Sequence, residues 1–94
     1  MTLTEFKESL LNDNPPANAS VYLKALWYDA QGDWDKAHEL IQDVSGQQAS
    51  LIHAYLHRKE GDLWNAEYWY NRCWSIIPDV SLNEEWEQIA SSLL

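Results

Sequence analysis

The sequence is short of several things that would point to a function. It has one Cys in 94 residues, which rules out an internal disulfide and a cysteine-cluster zinc site. Three Gly are too few for a phosphate-cradling loop. Basic residues are scarce: six Lys and Arg against fifteen Asp and Glu leave a net charge of −9. That balance argues against nucleic acid as a partner, because phosphate binding needs clustered positive charge, and against an anionic membrane surface. No apolar run approaches the roughly 20 residues of a membrane span. The opening stretch MTLTEFKESLL carries Lys7 inside an amphipathic pattern rather than ahead of an apolar core, so no signal peptide is read. The expectation is a soluble, cytoplasmic chain forming one domain over 1–94, without a nucleic-acid or membrane partner.

What the chain does have is rings. Six Trp, five Tyr and one Phe are heavy usage for a length that leaves little core to spare. Each ring can bury about 150–250 Å², so most are expected to serve packing.

Helical punctuation is dense and strand punctuation nearly absent. A first helix starts near Thr2 or Thr4 and stops before the Asn12–Pro16 turn. A second, about 20–31, is capped by Asn18 or Ser20 and closed by Gly32. Asp33 caps a third, with Trp34, Ala37, Leu40, Ile41 and Val44 inward, ending near Ser45-Gly46. The fourth runs over about 47–59 and stops at Gly61. Asp62 caps the fifth, whose inner stripe is Leu63, Ala66, Trp69, Tyr70, Cys73 and Ile77, halted by Pro78. Ser81-Leu82-Asn83-Glu84 reads as a capping box opening the last helix. The pattern predicts an all-α, six-helix domain.

A shift of 29 residues superposes Ala25, Gly32, Asp33 and Ala37 on Ala54, Gly61, Asp62 and Ala66. Small residues let two antiparallel helices approach, Gly ends the first helix and Asp caps the second. Each unit, about 20–44 and 47–77, is a helical hairpin that needs a neighbour to cover its apolar face. This pattern resembles the tetratricopeptide repeat, with a shorter period, no closing Pro in the first unit, and Ser50 where that family often has Trp. The segments LWYDAQGDWDKAH and HAYLHRKEGD…NAEYWYNR also resemble those of a group of small, mostly bacterial proteins. The resemblance implies a tetratricopeptide-like array flanked by capping helices, and it brings no reaction with it. In such an array the first helices of successive units line a groove, which would set Tyr22, Leu26 and Asp29 beside Leu51, Tyr55 and Arg58 as a peptide-sized site, unless the first or the last helix folds over it.

Two further constellations stand out. His53, His57 and Glu60 share one stripe of the fourth helix, and with His38 they could supply zinc-type ligands. Packing histidines would look the same, so the expectation is no resident metal or cofactor. The only two Arg, Arg58 and Arg72, fall in the one stretch without net negative charge, near Tyr68 and Trp69, where a guanidinium can stack on a ring or bind a carboxylate. At 100° per residue Trp64 and Tyr68 point away from Ala66. No nucleophile motif is present, and Cys73 sits on the inner stripe as a small hydrophobe.

The leading expectation is a non-catalytic module that binds a protein or peptide, a second copy of itself included. The alternative is a small-molecule or metal-binding domain, with enzymatic use left open, built from His38, His53, His57, Glu60, Arg58 and Arg72. A third is an acidic partner that shields a basic protein surface, which would make affinity salt-dependent.

Overall fold

The computed structural model describes residues 1–94 as six helices and no strands: α1 (Leu3–Ser9), α2 (Val21–Ala30), α3 (Trp34–Ile41), α4 (Gln47–Glu60), α5 (Leu63–Arg72) and α6 (Leu82–Ser92). None is long and apolar enough to cross a membrane.

Side chains start the helices where the sequence places them. Thr2 and Glu5 form a reciprocal capping box on α1, and Ser20, Asp33, Asp62 and Ser81 each accept the backbone N–H of the third residue of the next helix. Each such cap contributes about 1 kcal/mol.

The two corners have one geometry. Gly32 and Gly61 lie at φ 87° and 88°, followed by Asp33 and Asp62 at φ −102°, ψ 73° and φ −88°, ψ 77°. The Asp33 N–H donates to the Tyr28 carbonyl and the Asp62 N–H to the His57 carbonyl, both at 2.9 Å. These are equivalent bonds 29 residues apart. Left-handed φ is open to Gly without the clash a Cβ brings.

Each corner folds a hairpin, α2 on α3 and α4 on α5. Ala25, Ala37, Ala54 and Ala66 are fully buried at the contacts. α4 is central: its backbone meets α2, α3, α5 and α6. α6 lies over α2 and α4 and also touches α1, so the main core gathers Phe6, Leu26, Ile41, Ile52, Leu56 and Trp86. α5 is different, because its backbone approaches α4 alone. A separate small cluster of Ala54, Ala66 and Tyr70 sits beneath it.

Three details correct the sequence reading. α3 stops at Ile41, before Val44. α5 stops at Arg72 instead of running to Ile77. Leu63, expected on the inner stripe, is exposed. The early end of α5 has a specific cause. The Ser75 N–H donates to the Tyr70 carbonyl at 2.9 Å, the closing bond that Asp33 and Asp62 make after the glycines. Here the residue in the left-handed position is Trp74, at φ 59°.

Candidate functional site

The six residues expected to line a groove come together on α2 and α4, but α6 occupies the space. Leu26 is fully buried, Asp29 and Tyr55 nearly so, and Tyr22, Leu51 and Arg58 are half-buried. Trp86 Nε1 donates to the Leu26 carbonyl at 3.0 Å. Tyr55 Oη donates to Asp29 Oδ2 at 2.8 Å, and Lys59 Nζ donates to Asp29 Oδ1 at 2.9 Å. Arg58 Nη1 reaches Glu85 Oε1 at 2.8 Å, its Nη2 donates to the Val80 carbonyl, and Tyr70 Oη donates to Glu85 Oε2 at 2.6 Å. Of the two arrangements open in the sequence, an exposed groove or one covered by a flanking helix, the structure has the covered one, because the apolar stripe of α6 needed a wall and these helices supplied it. A shallow cavity of about 350 Å³ remains beside it, rimmed by Lys7, Asp29, Lys59, Trp86 and Glu87. Its charges are paired, Lys7 with Glu87 and Lys59 with Asp29. Burial, followed by the Asp29 carboxylate, raises the Tyr55 hydroxyl pKa far above the usual phenol value. Burial and the bond to Glu85 do the same for Tyr70. Both phenols stay protonated as donors.

The polar cluster expected from the sequence divides. Arg58 belongs to the α6 side. On the opposite side, α3 supplies His38 and α4 supplies His53 and His57, and one ring nitrogen of each lies within 4.8 Å of the others. His38 Nε2 and His53 Nε2 are 3.0 Å apart, and His57 Nδ1 is 2.6 Å from Glu60 Oε2. Rings enclose the three: Trp34 stacks on His38 at 4.9 Å and Trp69 on His53 at 4.0 Å. The Arg72 guanidinium lies over Trp69 and Tyr68 at 5.2 and 5.6 Å, and its Nη1 donates to Tyr68 Oη at 3.2 Å. Trp34 joins the cluster although the sequence suggested only a packing role for it. Its spacing of four from His38 on one helix is the signal that could have found it.

Burial is the main reason the His53 pKa falls to about 4, with repulsion from His38 and His57 adding to it. Burial first, and then His57, lower His38 as well. His38 and His53 are thus neutral imidazoles at neutral pH. In the denatured chain His53 takes up its proton near pH 6.5, whereas the folded chain waits until about 4. The metal-free protein should therefore lose stability as pH falls through that window, by about 1–3 kcal/mol after allowance for solvent around the ring edge. Urea midpoints at neutral pH and near pH 5 test this, and His53→Gln should flatten the difference. His38 and His57 are the ionisable groups that face His53 across this packing.

A second feature lies at the end of the array. Trp64 and Tyr68 project from the outer side of α5, 78% and 47% exposed, and beyond its end stand Trp74 and Ile76, 89% and 80% exposed. Cys73, expected on the inner stripe, is half-buried at the end of α5. Burial raises its thiol pKa, which argues against a nucleophile there. No family model, curated protein or solved structure matches the chain.

Proposed function

We propose that the protein is a non-catalytic interaction module that pairs with a second copy of itself through the outer face of α5 and the segment 73–77. The observation that carries this reading is Trp74. It holds the left-handed position that Gly32 and Gly61 fill at the two hairpin corners, where a side chain costs about 1 kcal/mol. Being 89% exposed, it recovers nothing by burial within its own chain. A ring held in strain and in water points to a contact made elsewhere.

Three facts favour a second copy as the occupant. A repeated hairpin array buries each face against the next hairpin, and the α5 face has no next hairpin because α6 turns back over α2 and α4. Two chains of −9 repel, yet residues 63–77 hold only Glu67 and Arg72 and are neutral. That makes this a surface on which two acidic copies can meet without like-charge cost. Two Trp and one Tyr per copy, at roughly 150–250 Å² each, doubled by symmetry, approach the ~1,000 Å² of a specific if weak interface.

Sedimentation equilibrium across the micromolar to millimolar range should show a reversible monomer–dimer step. Trp74→Gly should weaken it at least about tenfold, the scale of an aromatic anchor, while leaving the fold as stable or about 1 kcal/mol more stable. Trp64→Ala should weaken it as well. A chain that stays monomeric throughout, or dimers indifferent to both substitutions, would sink the reading.

A further inference from the structure

We infer that His38, His53 and His57 form a binding site for a divalent transition ion of the zinc class. Burial with bonds to protein atoms is also what packing histidines show, so the case rests on which atoms face each other. A packing imidazole ordinarily turns its nitrogens to carbonyls, hydroxyls or carboxylates. His38 and His53 instead turn Nε2 to Nε2 at 3.0 Å, and neither ring makes another hydrogen bond to a side chain. One nitrogen must donate and the other accept, an arrangement that a cation between them would replace with two ligand bonds.

The dimensions suit such an ion. Zinc binds imidazole nitrogen at about 2.0–2.1 Å, which sets tetrahedral neighbours about 3.3 Å apart. The His38–His53 pair needs to open by a few tenths of an ångström, and the third nitrogen, within 4.8 Å of both, needs to move in by a ring rotation. His57 is prepared for that role. Its Nδ1 is held by Glu60 at 2.6 Å, which leaves Nε2 as the free nitrogen, the carboxylate–imidazole arrangement that supports metal ligands. Stacking by Trp34 and Trp69 fixes the planes of the other two rings.

The donor set also selects. Three imidazoles without thiolate favour zinc, cobalt, nickel or copper over calcium or magnesium, which take oxygen. A fourth position is left for water or an added ligand, since no further donor reaches all three nitrogens. His57, Glu60 and Asp62 form an alternative grouping, but Asp62 is spent on capping α5, accepting from the Asn65 N–H and Nδ2. The −9 charge draws cations toward the chain.

The test uses the untagged full chain, stripped with chelator and titrated with zinc by calorimetry, and with cobalt by visible absorption. The expected result is one ion per chain, tetrahedral cobalt bands that zinc abolishes, and a higher thermal midpoint with zinc. Glu60→Gln, a near-isosteric change at the end of α4, should keep the fold and weaken binding by about 10–100-fold. His38→Gln, at a half-buried position, should lose the cobalt bands, with circular dichroism confirming that it folds. Absence of stoichiometric uptake by the folded wild type would overturn the proposal. So would uptake that His38→Gln and Glu60→Gln both leave unchanged, because the ion would then sit among surface carboxylates. Neither result depends on whether the chain pairs through α5.

Discussion

Arg58→Met is expected to destabilise the protein by about 3–5 kcal/mol, a large part of the total stability of a domain this size. The guanidinium is the only cation near Glu85, whose side chain is almost completely buried, and it also donates to the Val80 carbonyl that leads into α6. Methionine matches much of its volume but leaves the carboxylate with Tyr70 Oη alone. A buried charge without its partner keeps its desolvation cost and loses the compensating attraction. The diagnostic comparison is the triple substitution Arg58→Met, Glu85→Leu, Tyr70→Phe, which removes every polar member together. It should recover most of the loss, because buried ionic networks contribute little beyond the cost of leaving them half-made. Urea denaturation of the two variants measures this. A loss under about 1 kcal/mol for Arg58→Met would mean that water reaches Glu85 and the network is a surface one.

Trp86→Ala should cost a similar amount, about 3–5 kcal/mol, through a different mechanism. Its ring stacks on Phe6 at 5.7 Å, is 7% exposed, and ties α6 to α2 through the bond to the Leu26 carbonyl. Truncation leaves a cavity at the junction of α1, α2 and α6 and removes the bond to the Leu26 carbonyl. Trp86→Phe keeps the stacking and loses only the hydrogen bond and part of the ring, so about 1–2 kcal/mol is expected. The Ala variant should also admit a hydrophobic dye as α6 loosens and uncovers Leu26 and Tyr55, which chemical denaturation together with dye fluorescence would detect. An Ala variant as stable as the parent would show that α6 is held elsewhere.

The sequence and the structure agree most closely where one residue settles a local conformation. Gly32 and Gly61 at the corners, Asp33 and Asp62 behind them, and Ser20 and Ser81 ahead of α2 and α6 could all be placed from residue type, because each answers a local demand of backbone geometry. The end of α5 could not. Cys73 and Ile77 continue the helical spacing of Trp69 and Tyr70, and nothing in the residue type announces that Trp74 will take a glycine's place. The placement of α6 was undecided in the sequence for another reason. Periodicity shows that the inner face of α6 is apolar but not which wall it meets, and Leu26 and Tyr55 were as suitable for α6 as for a peptide. The histidines were partly legible: His53 and His57 share a stripe by spacing alone, while the arrival of His38 depends on how α3 leans against α4. Arg58 and Arg72, close in composition and environment along the chain, end on opposite sides of α4.

That central position of α4 divides the molecule's mechanical behaviour. Four other helices share α4 as a common support, so damage to it reaches most of the fold, whereas α5 depends on α4 alone. Because Trp69 lies on α5 and covers the His53 ring, the helix that bears Trp64 and Tyr68 on its outer side is also one wall of the imidazole pocket.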